Sequence, residues 1–311
     1  MLAATCLDPG DRLRRLALPG QRPDAPLFMR ERTARHGVLS VRTLASLTTC
    51  YSTRYVVTGV AEDDLATEVR ALRRERSRPH RLLFEALHSL DEVATLQAGL
   101  RRGGMVVESF RNFGNWHELI DEGFETYWAA RDSRLRNTVE RRERSLRRGP
   151  GYDLRVWARP EGTGEAITAY QAVYGASWKE PEPYPDFIPA LISALLTHGA
   201  GLVGALSIAG RPAAAQIWLV GGGGATLFKL AHDERQKQHS PGSVLTKLML
   251  ERILSDPAVR EIDLGRGDDP YKRQWAAHRR QTWGVAAYDP ATLAGMALAA
   301  TNLLPHVVRR S

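Results

Sequence analysis

The chain has 311 residues, 43% of them apolar and 25% charged, a balance that excludes a disordered or fibrous chain and leaves one large or two modest globular domains. Its net charge of +8 rests on arginine, with lysine only at Lys179, Lys229, Lys237, Lys247 and Lys272, and favours phosphate or other anions as partners. Cys6 and Cys50 have neither a CxxC motif nor a histidine at ligand spacing, so neither a disulfide framework nor a metal site is expected, and a reducing cytoplasm is the expected compartment.

Residues 1–26 carry Asp8, Asp11 and several arginines with no apolar run of signal-peptide length, and are expected to form an N-terminal extension without an export signal. Residues 38–44 and 53–60 are rich in β-branched side chains and are predicted strands, and 63–76 is a predicted helix because Leu65, Val69 and Leu72 recur at helical spacing. Strand 80–86, helix 91–101 and strand 105–113 follow. Residues 124–148 read as one long helix, with Phe124, Tyr127, Trp128, Leu135, Val139 and Leu146 set among arginines and glutamates. It stops at Gly149-Pro150-Gly151, the clearest domain boundary in the chain, so that 27–149 is the expected N-terminal domain and 150–290 the expected catalytic one.

The second half opens with a strand at 152–157, a helix at 165–178, a proline-broken loop at 181–185 and a helix at 186–198. Strands 201–208, 212–220 and 225–231, with glycine turns between them, form an antiparallel meander. A helix over 240–254, a strand at 260–264 pairing in parallel after that crossover, a short helix at 270–278 and a strand at 282–289 complete the pattern. The apolar tract 291–304 is too short to span a bilayer. It reads either as a packed helix or as an interfacial anchor helped by Arg309 and Arg310, which gives the tail 291–311 a weak membrane-surface contact as its alternative role. Both halves alternate strands with helices, which hints at a duplicated module.

Several residues carry candidate chemistry. In Ser240-Pro241-Gly242-Ser243, Ser240 fits an N-cap, Pro241 the first helical position, and Gly242 leaves the backbone bare. Amides at Gly242, Ser243 and Val244, helped by the helix dipole, suit a pyrophosphate; a plain capped helix is the other reading. Lys229 and His232 fall on opposite faces of the strand before this turn, so at most one enters a given cleft; His232 is either a general base or a satisfied histidine. Asp263 alternates with Ile262 and Leu264 near a strand's carboxyl end, where ligands gather in open α/β sheets. Asp268 lies in the irregular Gly265-Arg266-Gly267-Asp268-Asp269-Pro270 loop. Lys272 suits an oxyanion or a phosphate, and Tyr271 suits protonation of a departing thiolate or a core contact with Trp275. The arginine-rich helix invites a nucleic-acid reading, yet Glu140 and Glu143 interrupt it, and a solvated face explains it as well. GxxxxGK, GxSxG and HExxH patterns are absent and no GxGxxG follows a strand, against P-loop, hydrolase-elbow, zincin and Rossmann chemistry.

Phe228-Lys229-Leu230-Ala231-His232-Asp233, the helix start at Ser240, and Ile262-Asp263-Leu264-Gly265-Arg266-Gly267-Asp268-Asp269-Pro270-Tyr271-Lys272-Arg273-Gln274-Trp275 together resemble the GNAT-fold acyltransferases of the cellulose-biosynthesis-type acetyltransferase family. The resemblance extends to Val41-Arg42-Thr43-Leu44 with Tyr51 and to residues 127–142, about 30–290 in all. It implies an α/β (α+β) fold of tandem GNAT-like domains related to the FemABX transferases, each a mixed, mostly antiparallel sheet flanked by helices, with the active site in the second domain facing the first. It implies acyl-coenzyme A as donor, without a metal, and an amine or hydroxyl of a small molecule, peptide or saccharide as acceptor. Ser240, Gly242, Ser243, Val244 and Lys229 would then serve the donor. Lys272, Tyr271, Asp263, His232 and Asp268 would serve the chemistry. The usual Arg/Gln-x-x-Gly-x-Gly/Ala pyrophosphate pattern is reduced here to Gly242, which leaves open the aminoacyl-tRNA that FemABX relatives use. A non-catalytic scaffold in polysaccharide biosynthesis is the third expectation.

Overall fold

The structure, a computed structural model, describes residues 5–16, 18, 27–57 and 59–308. In chain order its first elements are β1 (Arg12–Leu16), β2 (Leu27–His36), β3 (Leu39–Ser46), α1 (Glu62–Arg74), β4 (Arg81–Leu87), α2 (Leu90–Arg102), β5 (Val106–Leu119), α3 (Gly123–Ala129) and α4 (Ser133–Arg148). There follow β6 (Tyr152–Trp157), α5 (Thr163–Gly175), α6 (Phe187–His198), β7 (Gly201–Ile208), β8 (Arg211–Gly221), β9 (Gly224–His232), α7 (Pro241–Ile253), β10 (Glu261–Arg266), α8 (Lys272–Trp275), β11 (His278–Tyr288) and α9 (Leu293–Val308).

The chain divides into two compact units, changing over at 114/115 within β5 and at 279/280 within β11. In the N-unit, residues 7–114 and 280–308, the strands run β1-β2-β3-β4-β11-β5. The β3–β4 pair is parallel, and the β1–β2, β2–β3 and β4–β11 pairs are antiparallel. Leu65, Val69 and Leu72 of α1 and Val93, Leu96 and Leu100 of α2 share one core with Met29, Leu44, Leu82 and Phe84 on one sheet face. A capping box starts α2: Ser89 accepts from the Glu92 amide while the Glu92 carboxylate accepts from the Ser89 amide. On the opposite face Val41, Ala286 and Tyr288 pack with Ala294 and Leu298 of α9, so this helix is packed where it is described. Arg309 and Arg310, expected to help an anchor, lie outside the described residues. No helix among the described residues is long and apolar enough to cross a membrane.

The C-unit, residues 115–279 with 5–6, orders its strands β5-β10-β9-β8-β7-β6. The expected meander forms, β10 pairs with β9 in parallel, and the end of β5 pairs antiparallel with β10. Alternation along β7 sends Gly204 toward Met249 of α7 and Gly201 toward Leu195 of α6, so α7 and α6 cover opposite faces. Each unit therefore repeats one order: an antiparallel meander, a helix, a strand returning in parallel, then an antiparallel neighbour.

Three expectations fail for physical reasons, and two strands form that were not expected. Residues 53–57 form no strand; Tyr55 and Val57 turn into the α1/α2 core, and β3 pairs directly with β4. The long helix at 124–148 is two helices. Arg131 is buried between them, its guanidinium donating to Glu118 and to the carbonyls of Tyr127 and Trp275, and Asp132 caps α4 through the Arg134 amide. The helix at 270–278 is confined to α8, because His278 already belongs to β11. β1 and β2, rich in arginine and without a clean alternation, were not expected as strands; β2 forms because it has partners on both edges. The Gly149-Pro150-Gly151 turn joins α4 to β6 inside the C-unit.

Candidate functional site

The parallel pair is in register Glu261↔Gly224, Ile262↔Ala225 and Asp263↔Thr226, while β9 runs on to His232 and β10 to Arg266. The strands part after Asp263, and their carboxyl ends define a crevice of the kind open sheets offer to ligands. Gly265 makes the parting possible. Its φ is +74°, and a Cβ there would stand 2.8 Å from the Leu227 carbonyl oxygen, so only glycine lets β10 turn away this close to β9.

The loop after β10 is tied from within. Asp263 is buried, and its Oδ1 accepts from the Gly265 amide at 2.7 Å and from Asn115 Nδ2 at 2.7 Å; Asn115 also donates to the Gly265 carbonyl at 3.0 Å. Asp268 accepts from Trp116 Nε1 at 2.6 Å and from Arg279 Nε at 2.8 Å, and these bonds hold its carboxyl below the usual carboxylate range. Lys272, 4% exposed, donates from Nζ to the Arg266 carbonyl at 2.6 Å, with Gly267 O at 3.4 Å, Gly265 O at 3.5 Å and Asp269 Oδ2 at 3.4 Å. Burial lowers its pKa, opposed chiefly by Asp269. The oxyanion role expected of Lys272 thus requires one of these partners to be released. Tyr271 is 39% exposed, yet the surroundings of its hydroxyl, with Asp269 adding to them, push the phenol up to about 12; it keeps its proton at neutral pH.

The helix start differs from expectation. Ser240 takes φ +52° and ψ +46°, the left-handed region, and makes no side-chain cap; its carbonyl instead accepts from the amides of Ser243 and Val244, both at 3.1 Å. Val244 makes the first regular bond of α7, so its amide was never an orphan. Of the three amides assigned to a phosphate, Gly242 is the one left outside these bonds.

Lys229 and His232 do point to opposite faces of β9. Lys229 pairs with Glu182 at 2.7 and 3.0 Å and lies 5.9 Å from the Tyr174 ring. His232 is half-buried beside the α7 start, its Nδ1 3.6 Å from where a Gly242 Cβ would stand, its ring centroid 4.5 Å from Trp178, and Nε2 3.3 Å from Glu234 Oε1. Burial lowers its pKa, with Glu234 opposing and Lys179 reinforcing, so the neutral imidazole prevails at pH 7.

Lys179 escaped the sequence reading. Desolvation first, then the charge of Lys229, lowers its pKa to about 8, against partial relief from Glu182 and Asp269. Together with Tyr170, Tyr174, Glu182 and Pro185 it lines a cavity of about 390 Å³ between α5 and α6. Its one signal in the sequence is a lysine inside the aromatic and proline-rich run 178–185, which does not by itself specify a depressed pKa. At pH 8 about half of this amine is neutral, whereas an exposed lysine titrates near 10.4. Amine-directed labelling at that pH is expected to modify Lys179 faster than exposed Lys237, as read by peptide mass spectrometry; equal rates would refute the shift. Among the described residues no group of three or more His, Cys, Asp or Glu side chains is placed to hold a metal ion.

Residues 133–273, a little under half of the chain and wholly inside the C-unit, match the family described as Acetyltransferase (GNAT) domain. Among solved structures, the chain resembles the C-terminal domain (DUF2156) of a putative lysylphosphatidylglycerol synthetase from Agrobacterium fabrum, at 14% identity and TM-score 0.57, covering 97% of this chain and 92% of that one. It also resembles FemX at 9% identity and TM-score 0.60, covering 90% and 88%, and a conserved protein of unknown function from Bacteroides thetaiotaomicron VPI-5482 at 12% identity and TM-score 0.53, covering 84% and 83%. No curated protein matches the sequence. At these identities the structural likenesses show a shared fold, here two units each with a mixed, mostly antiparallel sheet flanked by helices, and the family match makes residues 133–273 GNAT-like. The family match supports a transferase.

Proposed function

We propose that the C-unit transfers an acyl group from acyl-coenzyme A to an amine or hydroxyl. The observation that carries this reading is the parting of β9 from β10 in front of the α7 start, with a neutral imidazole at its edge. An extended thioester arm can add to a parted strand edge by main-chain hydrogen bonds. The Gly242 amide and the positive end of α7 favour the donor's diphosphate. His232 takes the acceptor's proton as its nitrogen or oxygen attacks the thioester carbon, and Tyr271 returns a proton to the departing thiolate. Lys272, Asp263 and Asp268 hold the loop that carries Tyr271, and Lys229 holds Glu182. The cellulose-biosynthesis-type resemblance of the 262–275 motif adds a saccharide acceptor as one possibility within this class.

The test is calorimetry and thermal melting with coenzyme A, acetyl-coenzyme A and a longer acyl-coenzyme A. Saturable binding and a raised Tm are expected, by about 2.7 kcal/mol of added stability at a hundredfold excess over Kd. Failure of all three ligands would sink the proposal.

One observation favours a second donor. Arg134, Arg141 and Arg148 recur at seven-residue spacing and Arg144 lies between them, all exposed along α4. An aminoacyl-tRNA would find phosphate partners there, and its binding would fall steeply with salt.

A further inference from the structure

The N-unit carries a cationic groove on its sheet that the acyl-transfer reading does not use. Register aligns Arg32 of β2, Thr43 of β3 and Arg81 of β4 in one row across three strands, and Arg30, Ala45 and Leu83 in the next. Strand alternation places these side chains on the face opposite α1 and α2. The middle strand offers only short residues there, Val41, Thr43 and Ala45, all buried, while its neighbours offer long cations. The result is a cavity of about 120 Å³ floored by β3 and walled by Arg30, Arg32 and Arg81. That is well above the roughly 10–15 Å³ needed to admit one water and leaves room for one phosphoryl group.

The polar groups in the groove are engaged to different degrees. Arg81 Nε donates to Thr43 Oγ1 at 3.2 Å, which leaves the threonine O–H to donate elsewhere. Arg32 is engaged by Asp11, at 2.6 and 2.7 Å, and by Asp8, and Arg30 is 3.8 Å from Asp11. These two carboxylates face three guanidinium groups, so the groove retains net positive charge. Arg81 and Arg32 stand two strands apart, about 10 Å between backbones, a span across which two guanidinium forks can converge on one tetrahedral oxyanion.

We propose that this groove binds a phosphoryl group, with Arg81 and Thr43 as its principal donors and Arg30 and Arg32 closing the far side. The inference is independent of the acyl donor. The ligand is either free phosphate or a phosphoryl group borne by a larger molecule.

Titration of the full chain with sodium phosphate, and separately with glycerol phosphate, at ionic strength held constant with chloride, decides the matter. Both are expected to bind saturably and to raise Tm where chloride does not. Equal affinities would identify free phosphate as the source, and tighter glycerol phosphate binding a carried phosphoryl group. Arg81→Gln is expected to weaken binding about tenfold or more, as loss of a charge-assisted donor does, whereas Arg159→Gln, at an exposed arginine before α5, is expected to change nothing. Thr43→Val removes the hydroxyl at constant shape and supplies the same reading should Arg81→Gln not fold. Absence of saturable binding of both anions, or a folded Arg81→Gln or Thr43→Val protein that binds as tightly as the parent, would overturn the proposal.

Discussion

Replacing His232 with alanine is expected to lower acyl transfer by about 10²–10⁴-fold, the usual contribution of a positioned general base. Both the position of the ring and its charge state fit it for that role. His232 closes β9 beyond the point where β10 leaves it, against the first turn of α7 and the Trp178 ring. Glu234 lies at Nε2, so the neutral tautomer that donates there leaves Nδ1 as the acceptor on the side of Gly242. Because burial lowers the folded pKa below 6.5, the base form is present at pH 7 and is lost as pH falls through that lower value. The acid limb of kcat/KM should therefore lie below pH 6.5 in the parent and disappear in His232→Ala. Retention of the parent rate and acid limb in a folded His232→Ala protein would remove His232 from the reaction.

Lys272→Met is expected to cost about 1–3 kcal/mol of stability, the penalty for leaving buried carbonyls without a donor, and to abolish most transfer. The ammonium gathers the carbonyls of Arg266 and Gly267 around one buried point, and the loop they belong to positions Tyr271. Asp269 approaches the same ammonium, but its side chain is 60% exposed, so Asp269→Asn should change stability by well under 1 kcal/mol. Thermal melting of both variants beside the parent separates the two effects. If Lys272→Met melts with the parent but is inactive, the ammonium acts on the reacting group and not on the loop.

The strands β7 to β9 and the return of β10 were legible because local chemistry and tertiary context agree there. Glycine turns separate β-rich runs, and a helix long enough for a parallel crossover follows. The break between α3 and α4 had a signal, Asp132 followed by Ser133, but helical spacing of apolar residues on both sides masked it. Ser240 misled for a similar reason. Serine before proline is a good N-cap by composition, whereas the tight turn out of the preceding 3₁₀ segment Glu234–His239 forces a left-handed backbone that turns its side chain away from the cap. Asn115 gave no warning and Lys179 little, since Asp263 and Lys229 lie far off along the chain.

The sequence by itself determined the order of elements from β6 to β10, the glycines of the loop where β10 leaves β9, and the motif that points to a GNAT-type transferase. These are properties of short stretches, set by backbone sterics and by the period of apolar residues. Only the tertiary structure decided that the ammonium of Lys272 and the carboxylates of Asp263 and Asp268 are bound to the loop, that His232 is neutral, that Lys179 is depressed to about 8, and that Arg32, Thr43 and Arg81 form one row. Desolvation and charge coupling depend on distances between residues remote in the chain, and those distances exist only once the sheets have closed on their helices.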